Sequence, residues 1–166
     1  YNILKNEYPK IGLEDCEVLH HSQYLQELMD SGKLKVQGGA FKGKTVAYHD
    51  SCYLGRANGV YEAPRKVLES LDANLAELRD NKAKGLCCGA GGGRIWMAEG
   101  EVKERPSESR IREAVALDGV SNFVVACPKD VTMYRDAVKT TGHEERIIVK
   151  DIIELVGEAL GLSAVE

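Results

Sequence analysis

No stretch of this 166-residue sequence approaches the roughly 20 consecutive apolar residues that a membrane-spanning helix needs. Basic residues are outnumbered, 22 Lys and Arg against 26 Asp and Glu, and they are scattered rather than clustered. A net charge of −4 therefore offers no electrostatic footprint for nucleic acid. No apolar h-region follows the opening Tyr1 to Lys5, so the expectation is a chain without a secretory leader. Paired Cys-x-x-Cys knuckles, the usual mark of a four-cysteine zinc site, are missing. The cysteines number five, and an odd count argues against a disulfide framework. A reducing compartment, with metal or redox chemistry, fits better. What remains is an ordinary globular composition, 43% hydrophobic and 29% charged, in a chain long enough for one domain with a substantial core.

Four of the five cysteines form a pattern. Cys87 and Cys88 are adjacent and open the run Cys87-Cys88-Gly89-Ala90-Gly91-Gly92-Gly93. Between Cys52 and that pair lie 34 residues, and between the pair and Cys127 lie 38. Packing gives no reason for a vicinal cysteine pair followed by glycines. Thiolates on a flexible backbone suit a soft metal or an iron–sulfur cluster. A vicinal disulfide, a zinc site and buried inert thiols are the competing readings. The glycines do not make a phosphate loop, because no Gly-Lys-Ser/Thr follows. Close backbone approach to a cluster, with amides pointing at its sulfides, explains them better. Cys16 belongs to no pattern and reads as a free thiol.

Short apolar runs alternate with helical periodicity. Val18–His21, Thr45–His49, Asn74–Leu78, Phe123–Cys127 and Arg146–Val149 have strand length. Helices are expected after Ser22, Pro64, Pro106, Pro128 and Asp151, where Glu154 is placed for a capping box. Gly38-Gly39 and Lys42-Gly43-Lys44 read as a linker, and the charged run from Glu99 to Glu108 as a solvated loop and helix start. This alternation predicts an α/β fold with a mostly parallel sheet and flanking helices in a pseudo-repeat architecture. Sites in such sheets form beyond the carboxyl ends of the strands, where Cys127 closes one strand and Cys52 follows His49 by three residues. His20, His21 and His49 are assigned to strands, and Trp96 to packing rather than electron relay. Residues 1–29 also resemble 131–156, with a helix, a turn, a strand and a helix carrying Glu-Leu. The expectation is that residues 1–40 are the tail of a truncated upstream repeat and 41–166 a repeat holding the site.

His49-Asp50-Ser51-Cys52-Tyr53-Leu54-Gly55-Arg56, Ala63-Pro64-Arg65, Cys87-Cys88-Gly89 and Ala126-Cys127-Pro128 together resemble the cysteine-rich CCG domain. That domain recurs in heterodisulfide reductase catalytic subunits, glycolate oxidase iron–sulfur subunits and membrane-linked Fe–S oxidoreductases. The resemblance implies an electron-transfer domain of a larger oxidoreductase, linking flavoprotein and quinone modules. It would act in the cytoplasm, at a membrane face through parts outside this sequence. It implies a cluster of four-iron type on Cys52, Cys87, Cys88 and Cys127, with zinc as the lesser occupant. His49, Gly89, Gly91, Arg56 and Arg94 would form the surroundings. The arginines would either stabilise the reduced cluster or simply be solvated. One departure stands out. The family pattern commonly ends Cys-x-x-Cys, but here Asp130 occupies the final cysteine's place. That weakens the analogy with heterodisulfide reduction. Asp130 is either an oxygen ligand or a first-turn acidic residue favoured by the helix dipole. A thiol–disulfide reductase domain and a metal-free or zinc-bound structural repeat are the alternative functions.

Overall fold

The computed structural model describes residues 1–36, 39–98, 100 and 102–162. Gly38 of the expected linker and Glu99 and Glu101 of the charged run lie outside them. Four strands, β1 (Thr45–Tyr48), β2 (Asn74–Ala76), β3 (Val120–Val125) and β4 (Ile148–Asp151), form one all-parallel sheet in the order β2-β1-β3-β4. Helices α1 (Asn2–Asn6) and α2 (His21–Asp30) precede the sheet. Helices α3 (Glu62–Ser70), α4 (Pro106–Val115) and α5 (Pro128–Thr140) connect its strands, and α6 (Ile152–Ala159) follows it. No helix among the described residues is long and apolar enough to cross a membrane.

Each central strand sends alternate side chains to opposite faces, the two-residue period of extended backbone. Val46, Tyr48, Val124 and Ala126 meet α2, α3 and α6 through Leu25, Leu68 and Leu155. Ala47, Phe123 and Val125 meet α4 and α5 through Ile111, Tyr134 and Val138. Both faces are thus covered, which is why the strands read as apolar runs without alternation. Fully burying one such leucine or phenylalanine contributes about 1.5–3 kcal/mol.

Proline placement accounts for the helix starts. Pro106 and Pro128 sit in the first turn, where a missing N–H costs no hydrogen bond. Asp151 and Glu154 form the expected capping box of α6. Glu108 does similar work for α4. Its carboxylate accepts from the Arg105 N–H at 3.0 Å and from the Thr140 hydroxyl, at the end of α5, at 2.7 Å. These bonds hold its pKa down at about 2. An acid depressed in the native state contributes stability above its ordinary value near 4.5 and loses it as pH falls toward 2. Replacing Glu108 with glutamine, which keeps an acceptor but removes the charge, should therefore cost about 1 kcal/mol at pH 7. Denaturant midpoints of the two proteins should converge as pH falls from 4.5 to 2.

Several expectations are corrected. Val18–His21 forms no strand. His20 is extended but caps α2, its Nδ1 accepting from the Ser22 N–H and its Nε2 lying 3.2 Å from the Ala126 carbonyl. His21 is the first residue of α2, and His49 lies just past β1. The cap is His20 rather than Ser22 because the longer imidazole bonds both the helix and the sheet. The strands at Phe123 and Arg146 are shifted, to Val120–Val125 and Ile148–Asp151, and β2 ends at Ala76. Trp96 is 86% exposed and packs on nothing in the core. Of the likeness of 1–29 to 131–156 the opening helices, α1 and α5, and the closing helices, α2 and α6, are present, but β4 has no counterpart in the first segment. Helix α2 and helix α6 begin with the same type of capping box, and they touch.

Candidate metal centre

The strand order makes the crevice. Strands β1 and β3 are neighbours, but α3 leaves β1 over one face of the sheet and α5 leaves β3 over the other. The gap between their carboxyl ends is the switch point at which open α/β sheets bind ligands. Cys52 and Cys127 stand on its two sides. Cys127 is the N-cap residue of α5, in extended conformation, and its carbonyl accepts from the Val131 N–H at 3.1 Å. Cys52 begins a tight coil in which the Ser51 carbonyl accepts from the Leu54 and Gly55 N–H groups. Gly55 is required there, because a Cβ would fall 2.6 Å from the Tyr61 ring.

Cys87 and Cys88 arrive from the long connection between β2 and α4. Cys88 is buried in the core among Ala90, Ile111 and Tyr134, whereas Cys87 is exposed. The Gly89 N–H donates to the Cys87 sulfur at 3.3 Å, and the Ala90 N–H to the Cys88 sulfur at 3.5 Å. Gly89 turns through a φ of +89°, a left-handed conformation in which glycine is unstrained. Two amides of this loop are thus aimed at cysteine sulfur. All five cysteines are free thiols, with no bond between the vicinal pair.

Charge on Cys87 is felt by Cys52 and Cys88, and charge on Cys52 by Cys127. Burial, followed by Cys87, pushes the Cys52 thiol up. Burial and the Asp130 carboxylate push Cys127 up, with a further contribution from Cys52. Burial and Asp130 push Cys88 well up. Protons must therefore leave these sulfurs when a metal binds, so loading is favoured by rising pH. Among the described residues, no three His, Cys, Asp or Glu side chains form a group that could hold one metal ion. A single zinc draws its sulfurs in to about 2.3 Å.

Asp130 faces this site from the first turn of α5. It is buried, and its Oδ2 accepts from the Ser51 hydroxyl at 2.7 Å and lies 3.8 Å from His49 Nε2. His49 forms the floor rather than the rim. Its ring lies edge-on to Tyr134, whose hydroxyl is 3.2 Å from Nδ1. Burial lowers the His49 pKa to about 4, so the ring is neutral at neutral pH. Arg56, Gly91 and Tyr53 line an open cleft of about 300 Å³ beside Cys52. Arg94 bonds the Ala98 carbonyl instead of any cysteine. A larger hollow of about 460 Å³, at the outer edge of β2 among Glu69, Asp72 and Asn74, contains no cysteine or histidine. Asp50, Ser51, Arg65 and Tyr134 were not assigned roles from sequence. The first three lie inside the recognised motifs, but nothing in a single sequence reveals which partners they find.

The molecule is thus an α/β domain presenting four thiols at the carboxyl edge of a parallel sheet. Residues 46–129 match the CCG cysteine-rich domain, and the chain belongs to that family. It is 40% identical over 161 residues to a protein of Bacillus subtilis described as a probable iron-sulfur-binding oxidoreductase. It is 39% identical over 165 residues to the EtfAB:quinone oxidoreductase of Syntrophomonas wolfei. It is 39% identical over 168 residues to one of the subunits of the dihydromethanophenazine:CoB–CoM heterodisulfide reductase of Methanosarcina barkeri. These matches take in 96%, 96% and 98% of this chain, but only 22%, 23% and 39% of the relatives. No solved structure matches it significantly.

Proposed function

We propose that the domain holds an iron–sulfur cluster of four-iron type on Cys52, Cys87, Cys88 and Cys127 and carries electrons within a larger oxidoreductase. The observation behind this reading is that four free thiols follow β1, precede α4 and follow β3, near enough for charge on Cys87 to act on Cys52 and Cys88 and charge on Cys52 to act on Cys127, with two of them receiving backbone N–H groups. A four-iron cluster, when bound, supplies a one-electron carrier. The chain supplies the rest. Cys88 anchors the inner side, where burial excludes water, Cys52 and Cys127 stand at intermediate depth, and exposed Cys87 marks the side open to a redox partner. The Gly89 and Ala90 N–H groups offset negative charge on sulfur. Arg56, at the cleft, does so from the solvent side.

Modules carrying flavin and quinone are the proposed donors and acceptors, in keeping with the relative named EtfAB:quinone oxidoreductase. The cytoplasmic side of a membrane is the corresponding location, reached through other parts of a longer protein. Direct reduction of a disulfide is the second reading, favoured by the relative that belongs to a heterodisulfide reductase. Asp130, in the place of a fifth cysteine, counts against it. Anaerobic reconstitution should yield about four iron and four acid-labile sulfide per chain. Zinc alone, or neither metal, would overturn the cluster. Turnover of a disulfide by the loaded domain would favour the second reading.

A further inference from the structure

We propose that Asp50 is a positioning residue that fixes the spacing between the Cys52 segment and the Cys87–Cys88 segment before iron arrives. This rests on the reading of those cysteines as cluster ligands. Asp50 stands two residues before Cys52 and is 5% exposed. Its Oδ1 accepts from Arg65 Nη1 at 2.8 Å and its Oδ2 from Arg65 Nη2 at 3.0 Å, a two-pronged pair. The same Oδ2 accepts from the Lys82 backbone N–H at 2.7 Å. Lys82 is five residues ahead of Cys87. One carboxylate therefore touches both thiol-bearing connections.

Three further observations mark this contact as specified. Lys82 has a φ of +51°, left-handed for a residue with a Cβ, a conformation that persists only where surroundings impose it. At Gly85 a Cβ would fall 3.5 Å from the Asp50 Cβ and 3.1 Å from the Lys82 carbonyl, so this connection lies directly on Asp50. Arg65 spends all five of its N–H donors: two on Asp50, two on Glu77 just past β2, and one on the Tyr61 carbonyl. A guanidinium so saturated has one orientation. The adjacent Ser51 completes the arrangement by donating to Asp130, three residues after Cys127. The two residues before Cys52 thus bond the other two cysteine segments, one each.

The test separates this inference from the cluster itself. With Cys16, Cys88 and Cys127 changed to serine, only Cys52 and Cys87 remain to carry spin labels. Their distance distribution in the iron-free domain should be narrow, and Asp50→Asn should broaden it. Arg65→Lys keeps the charge but loses the planar fork, and should broaden it too, should the first variant fold poorly. In the otherwise native chain, both variants should release iron to a chelator at least tenfold faster than wild type and alter the electron paramagnetic resonance spectrum. An unchanged distribution with unchanged iron release and spectrum, at a merely lowered Tm, would overturn the positioning role. A wild-type domain that takes up no iron while the label distances respond as described would instead overturn the cluster and leave the spacing intact.

Discussion

Serine at Cys88, or at Cys87, should leave a folded domain that retains less than about one iron per chain, against about four for the wild type. The hydroxyl is a harder and less acidic donor than a thiol, and iron–sulfur clusters select thiolates. The two substitutions differ in their cost to the fold. Cys88 is buried among apolar side chains, so a hydroxyl there costs about 1–3 kcal/mol. That is a fraction of the 5–15 kcal/mol of a typical domain. Cys87 is exposed, and serine there should not move the unfolding midpoint. Cys16→Ser is the control. Cys16 is exposed and outside the pattern, so the variant should load iron like the wild type. Circular dichroism confirms folding, and iron and sulfide analysis reads the site. Full iron in both vicinal variants would remove these cysteines from the ligand set.

Asp130→Cys should slow the loss of iron to a chelator by about tenfold and change the electron paramagnetic resonance spectrum. Position 130 is on the inward side of the first turn of α5, where its carboxylate acts on Cys52, Cys88 and Cys127. A cysteine there puts a fifth sulfur where a buried oxygen now stands. The substitution also removes the acceptor of the Ser51 hydroxyl, a bond worth about 1–2 kcal/mol, and one charge favourable to the helix N-terminus. The variant should therefore unfold at lower denaturant when iron-free and hold iron longer when loaded. Opposite changes in the two states distinguish a group facing the cluster from a residue that only caps a helix. An unaltered spectrum and unaltered chelator kinetics would place Asp130 outside the site.

The fold was legible where local chemistry decides it. Pro106, Pro128 and the Asp151–Glu154 box announce three helices, and the apolar runs at Thr45 and Phe123 announce the two central strands. Val18–His21 misled because extended backbone is necessary for a strand but not sufficient. A ladder partner is needed as well, and His20 instead bonds the Ala126 carbonyl through its side chain. The four-cysteine pattern stands out because a vicinal cysteine pair followed by glycines has no packing use, and its role as a ligand set is the proposal above. The Asp50–Arg65 contact was not, since a pairing across fifteen residues depends on how β1, α3 and β2 come together. The same holds for Ser51 and Asp130, which meet across 79 residues.

The sheet order also dictates when such a centre can be assembled. Cys52 and Cys127 leave adjacent strands, yet β3 is made only after β1, α3, β2 and α4 have emerged. At 5–20 residues per second, a ribosome leaves Cys52 waiting on the order of ten seconds for Cys127. Over that interval the nascent chain offers first one and then three of the four pattern thiols. Parallel pairing adds delay, because every strand contact here is long-range in sequence. Delivery of the proposed cluster would therefore be a late event in biogenesis, following the docking of β3, and a thiophilic metal reaching the unfinished chain first would be a competitor to be kept away.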